Sequence, residues 1–207
     1  MAAADFFDIR IKGRGGHGAM PQVSRDPIVI GAALVQALQS IVSRNADPLQ
    51  AAVLSVTRFH AGTAYNVIPE EATLAGTVRT FSEALAETIR QRMRTIVAGI
   101  AAAFEAEIDI DIRTMFPVLE NNAAEAAAFA DAIRDIVGDE NVLTEPKPLM
   151  GSEDFADFLH AVPGCYCWVG HAGDVPLHNP GFILDDGILP VGASILARIV
   201  EKRLAAV

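Results

Sequence analysis

From Phe7 to Lys12 apolar and polar positions alternate one for one, with Phe7, Ile9 and Ile11 set against Asp8, Arg10 and Lys12. A period of two marks a strand with one buried and one wet face. The same signature returns at Ala72, Leu74, Gly76 and Val78 within Glu71 to Thr80. It returns again at Ile108, Ile110 and Ile112, which alternate with Asp109, Asp111 and Arg113. Ala52 to His60 reads as a further strand, and Gly62 with Asn66 to Pro69 as a turn. Between these runs the period changes. Asp26 and Pro27 form an N-cap and a first helical position. Val29, Ala32, Ala33, Gln36, Leu38, Ile41 and Val42 then follow at helical spacing to about Arg44. Ser82 caps a second helix, whose apolar stripe runs through Leu85, Ile89, Met93, Ile96, Val97, Ile100 and Phe104.

The order strand, helix, strand, strand, helix, strand predicts an α+β, ferredoxin-like domain over residues 5–115: a four-stranded antiparallel sheet with two helices on one face. The segment 116–207 is different. Ala123 to Val137 is alanine-rich and helical, ended by Gly138. A loop with Pro146 and Pro148 leads to a short helix in EDFADFLHAV, for which Ser152 is the candidate cap. CYCWVG reads as a strongly apolar strand. A loop holding His171 and His178 follows, and Asp185 or Asp186 with Pro190 starts a last helix to about Leu204. About 90 residues with one or two strands bury too little sheet to stand alone, so 116–207 reads as part of a domain.

Composition narrows the class. Apolar residues make up 51% of the chain, which argues against disorder. No apolar run approaches the ~20 residues of a membrane span, and MAAADFFD has no signal-peptide pattern, so no membrane partner is expected. A formal net charge of −10 excludes the basic footprint of nucleic-acid binding. The two cysteines, Cys165 and Cys167, lie two apart on a strand-like run, a spacing without disulfide geometry. They read as buried thiols of a cytoplasmic protein.

The chemistry starts at GRGGHG, where Gly13, Gly15 and Gly18 spell G-x-G-x-x-G after a strand. A dinucleotide loop needs the helix to open inside the motif, so that its N–H groups meet a pyrophosphate. Here Pro21 and QVSRD intervene before the cap at Asp26, and the next strand ends in Arg58-Phe59-His60 with no acidic ribose partner. The plain alternative is a flexible strand-end turn, bent at its glycines, whose His17 is merely solvated. Other candidates have plain alternatives. His178 in PLHNP is a loop imidazole, by default solvated and otherwise a metal ligand. His171 lies near it in sequence without a diagnostic ligand spacing. Arg79 is a strand charge or a fork for a carboxylate, and Asn66 a turn residue or an amide donor. Gly151 and Ser152 are a helix start or an anion contact. No G-x-S-x-G is present and no carboxylate pair stands out as acid and base.

Taken together, GRGGHGAMP, the NVIP turn, GTVRT, MGSEDF and LHNP followed by DD-x-x-L-P-x-G-A resemble, in order and spacing, the N-acyl-amino-acid amidohydrolases. That family includes hippurate hydrolase, the auxin-conjugate hydrolases and their aminoacylase and carboxypeptidase relatives. The resemblance covers essentially the whole chain. It implies an α/β metallopeptidase catalytic domain holding two divalent metal ions, zinc or manganese, with a ferredoxin-like lid that forms a homodimer; 116–207 is then the C-terminal part of the catalytic domain. It implies hydrolysis of an N-acyl amino acid. The family's lid histidine falls on His17, which would steady the developing oxyanion, often across the dimer. Its asparagine and arginine fall on Asn66 and Arg79, which bind substrate oxygens. Its glycine loop falls on Gly151 and Ser152, near the substrate carboxylate, and its C-terminal metal-binding histidine on His178. Gln22 stands where the family commonly has histidine. The family's other metal ligands and its general base precede the lid and have no counterpart in this sequence. The chain by itself is therefore expected to be inactive. The alternative is a non-catalytic ferredoxin-like dimerisation or ligand-binding module.

Overall fold

The computed structural model describes residues 1–204 of the 207-residue chain. Residues group into two compact units, the first made of Met1–Leu119 with Pro148–Asp157 and the second of Glu120–Lys147 with the chain from Phe158 onward.

The first unit is built on β1 (Ala3–Lys12), β3 (Ala52–Ala61), β5 (Glu71–Thr80) and β6 (Glu107–Phe116), in sheet order β3-β5-β1-β6. Every neighbouring pair is antiparallel. Two helices, α1 (Pro27–Arg44) and α2 (Glu83–Phe104), cover one face. The alternation explains why. Phe7, Ile9 and Ile11 of β1 and Leu74 and Val78 of β5 meet Ile30, Leu34, Leu38 and Ile41 of α1 and Ile89 and Met93 of α2 in one continuous core. The caps form as the sequence predicts: the side chain of Asp26 accepts from the N–H of Ile28 at 2.9 Å, and Ser82 Oγ from the N–H of Leu85 at 3.4 Å. By length and composition α1 is apolar enough to cross a membrane, but its apolar face lies in this core.

The other face of the sheet is charged. Asp8 takes Arg58 at 3.1 Å and also pairs with Arg113, while Arg10 meets Glu71 and Lys12 meets Glu107. One ion pair faces the helices instead. Arg90 on α2 donates from Nε to Asp5 at 2.8 Å and from its other nitrogens to Glu83 and Glu87. Burial acts to lower the Arg90 pKa, but these hydrogen bonds to carboxylates win and hold it above the ordinary arginine value.

Two short strands, β2 (Gly16–His17) and β4 (Val67–Ile68), form a separate antiparallel pair at the end of β1. The alternation rule does not reach them, because two residues carry no period.

The second unit pairs α3 (Ala123–Val137) with α5 (Ile188–Arg203). Asp135 receives Arg198 at 2.8 Å and Lys202 at 2.9 Å, and Arg203 reaches Glu125. Three sequence expectations are corrected. CYCWVG has no regular structure: no neighbouring strand pairs with it among the described residues, and Tyr166 is instead bracketed by the amide of Asn121 at 2.8 and 2.9 Å. An apolar run becomes a strand only where a ladder satisfies its backbone. The short helix α4 (Phe155–Ala161) starts beyond the predicted cap, because Glu153 rather than Ser152 takes the N–H of Phe155, at 3.4 Å. The last helix starts at Ile188, since Asp185 closes the preceding turn by accepting from the N–H groups of Gly187 and Ile188.

Candidate functional site

His17 lies in β2, held from three sides by backbone bonds. Gly13 N–H donates to Glu70 at 2.9 Å, Arg14 and Arg25 exchange a pair of 2.9 Å bonds, and Gly18 N–H donates to Asn66 at 2.8 Å. The glycines of GRGGHG serve close approach. A Cβ at Gly13 would sit 2.1 Å from the Arg25 carbonyl oxygen, and one at Gly15 would sit 2.8 Å from that of Ile68. Neither has a positive φ, so the expected sharp bend is not the reason for them. The Nδ1 atom of His17 accepts from the N–H of Ala19 at 3.1 Å. His17 and Asn66 share an open depression of about 380 Å³, walled by Gly15, Ile68, Pro69 and Glu70. The structure therefore brings these two predicted residues together.

Arg79 is placed elsewhere. It pairs with Ala4 across β5 and β1 and is half-buried on the charged side of the sheet. Nη1 donates to the hydroxyl of Thr77 and to the Val78 carbonyl at 3.0 Å, and the guanidinium lies 5.7 Å from the ring centroid of Phe6. Thr77 in turn donates to the Asp5 carbonyl at 3.1 Å. Burial lowers the Arg79 pKa and the charge of Asp5 opposes that. No carboxylate bonds to the Arg79 guanidinium among the described residues. Gly151 sits at the same end of the sheet, where its carbonyl accepts from the N–H of Ala2 at 3.0 Å, and Ser152 follows it.

These groups occupy opposite ends of one sheet. Arg79 faces Ala4, whereas Glu71, next to the Gly13–Glu70 bond, faces Lys12. Eight residues along a strand span ~26 Å.

His178 belongs to the second unit and is exposed, with a backbone φ of 69° in the left-handed region. A residue other than glycine held there is uncommon and points to a local constraint. Among the described residues no group of three or more His, Cys, Asp or Glu side chains is placed to hold a metal ion. His178 alone does not make a metal centre.

Two supporting residues escape the motif reading: Thr77 and Phe6, which fix the Arg79 fork. The period of two does put Thr77 and Arg79 on one face, so that part was available from spacing.

Comparison with known proteins agrees with this architecture. Residues 4–105 match the M20 peptidase dimerisation domain. The N-acetylcysteine deacetylase of Bacillus subtilis is 39% identical over 199 residues, which cover 96% of this chain and 52% of that protein. The hippurate hydrolase of Campylobacter jejuni is 38% identical, over 99% of this chain and 53% of that enzyme. A Bacillus subtilis crystal structure described as a dinuclear metal-binding peptidase of the M20 family superposes with a TM-score of 0.73 at 33% identity, over 96% of this chain and 49% of its own. The chain belongs to the M20 family of amidohydrolases and metallopeptidases and corresponds to its C-terminal portion. It spans about half the length of the curated relatives it matches.

Proposed function

We propose that this chain supplies the lid and the C-terminal catalytic segment of a metal-dependent enzyme that hydrolyses the amide bond of N-acyl amino acids. The observation that carries the reading is the state of His17. Its Nδ1 accepts from Ala19, so the ring proton sits on Nε2 and makes that atom a donor. A donor is what a carbonyl oxygen needs as it gains negative charge. Asn66, in the same depression, offers a second amide donor. Arg79, held by Thr77 and Phe6 and lacking a carboxylate, takes the carboxylate of the amino acid as a fork. Gly151 and Ser152 flank that end.

One small substrate cannot span ~26 Å, so His17 and Arg79 of a single chain do not act on the same molecule. Two chains of a homodimer complete one site, with His17 and Asn66 crossing to the partner.

His178 is read as one ligand of a centre of two divalent ions, zinc or manganese, which supplies the nucleophile's activation in the complete enzyme. The described residues do not fit that centre by themselves, since they offer no further grouped ligand and no placed base. The half-buried thiols of Cys165 and Cys167 suit a cytoplasmic setting.

The test joins this chain to the N-terminal half of a relative such as the Campylobacter hippurate hydrolase. The hybrid and the chain alone are then assayed on N-acetyl and N-benzoyl amino acids with zinc or manganese. Turnover by the hybrid, abolished by His17→Ala, and none by the chain alone is the expected result. Metal-dependent turnover by the chain alone overturns the inactivity claim. A folded hybrid with no activity on any of them favours the non-catalytic dimerisation or ligand-binding module.

A further inference from the structure

We propose that Phe6 and Val53, which flank Arg79, form the subsite for the side chain of the substrate's amino acid and select an apolar one. N-acyl derivatives of phenylalanine or leucine are then preferred over those of glutamate or lysine. This rests on the hydrolytic reading above and names the substrate class of the same site.

The first observation is how charge is spread over the outer face of the sheet. The strand registers set its residues in rows. Glu71, Lys12 and Glu107 make one row, and His60, Thr73, Arg10 and Asp109 the next. Arg58, Ala75, Asp8 and Asp111 follow. Charge dominates all three. Then come Ser55, Thr77, Phe6 and Arg113, and last Val53, Arg79, Ala4 and Phe116. Arg113 turns back to Asp8 and Asp111. Arg79 is therefore a cation set in an otherwise uncharged end of the face.

The second observation is that its charge stays open. Arg10, Arg58 and Arg113 on the same face each pair with a carboxylate. Arg79 spends Nη1 on Thr77 and the Val78 carbonyl, and its Nε and Nη2 make no hydrogen bond among the described residues. Asp8 lies two rows along, roughly 14 Å away, and is taken by Arg58 and Arg113. Asp5 faces the helices and is bonded to Arg90. A half-buried guanidinium with two free nitrogens is a fork for an anion brought in from outside.

The third observation is what lies around that fork. The Phe6 ring centroid is 5.7 Å from the guanidinium carbon, and the ring is 39% exposed. Val53 is the cross-strand neighbour of Arg79 and is 37% exposed. Ala4, between Arg79 and Phe116, has only a methyl group to fill the row. When the substrate's α-carboxylate sits on the fork, its side chain leaves the α-carbon beside Phe6 and Val53. An apolar side chain removes both from water. A carboxylate or ammonium there would lose its hydration without a partner, because the α-carboxylate already holds Arg79.

The experiment measures kcat and KM of the hybrid enzyme on the N-acetyl derivatives of L-phenylalanine, L-leucine, glycine, L-glutamate and L-lysine, and on N-benzoylglycine. Wild type, Phe6→Ala and Phe6→Leu are compared, with circular dichroism to confirm folding. The wild type is expected to favour phenylalanine and leucine over glutamate and lysine by about 100-fold in kcat/KM, a ranking that needs no variant to fold. Phe6→Ala raises KM for the phenylalanine substrate about 10-fold and changes both glycine substrates by less than about twofold; Phe6→Leu restores most of the loss. Turnover as good on glutamate or lysine overturns the subsite and leaves amide hydrolysis standing. So does an apolar preference that survives Phe6→Ala. An equal loss on every substrate also overturns it, since Phe6 then only holds Arg79. A hybrid without turnover on any of them removes the hydrolytic reading, and NMR of the chain alone then decides. Shifts at Phe6 and Arg79 with millimolar N-acetyl-L-phenylalanine, and none with N-acetyl-L-glutamate, support an apolar carboxylate subsite; no shifts with either overturn it.

Discussion

The N–H of Ala19 donates to Nδ1 of His17 at 3.1 Å. A ring nitrogen that accepts carries no proton, so the neutral imidazole of His17 is the Nε2–H form. Nitrogen-15 NMR of the side chain, through long-range couplings to the ring carbons' protons, is expected to show the proton on Nε2. A proton on Nδ1 would remove the donor on which the oxyanion role depends.

Thr77 links two groups: its hydroxyl accepts from Arg79 and donates to the Asp5 carbonyl at 3.1 Å. Valine keeps the shape and removes both bonds. In the hybrid enzyme Thr77→Val is expected to raise KM for an N-acyl amino acid about 10-fold and to change kcat by less than about twofold, the mark of lost ground-state binding. Thr77→Ser restores KM. An unchanged KM would separate Arg79 from substrate binding.

Asp5 and Arg90 form the buried ion pair of the lid, with side-chain exposures of 2% and 10%. Its partner-facing oxygen is satisfied, whereas Oδ1 of Asp5 has no hydrogen-bond donor among the described residues. Arg90→Met therefore leaves a buried carboxylate without its counter-charge and is expected to cost about 3–5 kcal/mol in denaturant unfolding. Asp5→Leu combined with Arg90→Met recovers most of that loss, because the isolated charge is gone. Equal destabilisation by single and double variants would show that packing, not charge, is at stake.

Cys165 gives the pH dependence. Burial, with a smaller effect from Cys167, pushes its thiol up to about 11 from an ordinary value of 9.0. The folded chain thus prefers the protonated thiol. The stability this group contributes is complete below pH 9 and is lost as pH rises through 11. Below pH 9 the native thiolate fraction is about 100-fold lower than in the unfolded chain. Alkylation by iodoacetamide at pH 8 should accordingly be much slower in the native protein than in urea. Comparable rates would contradict the burial.

Most of the lid is legible in the chain because half-buried strands must alternate and a helix lying on a sheet must repeat every three to four residues. The Asp26 and Ser82 caps follow from the same local chemistry. The second unit is less legible for a physical reason. Whether Cys165 to Gly170 forms a strand depends on a neighbour that its own residues do not specify, and whether Ser152 or Glu153 takes the first free N–H of α4 depends on competition between adjacent side chains. Thr77 could be placed beside Arg79 from spacing, but its second bond, to Asp5, crosses to another strand.

Residue identity and spacing determine the ferredoxin-like topology and the candidate set His17, Asn66, Arg79, Gly151, Ser152 and His178. Only the folded arrangement decides how that set divides. The antiparallel register of β1 and β5 sends His17 and Asn66 to one end of the sheet and Arg79 with Gly151 to the other. Pairing between strands some sixty residues apart in sequence fixes which ends of β1 and β5 lie together.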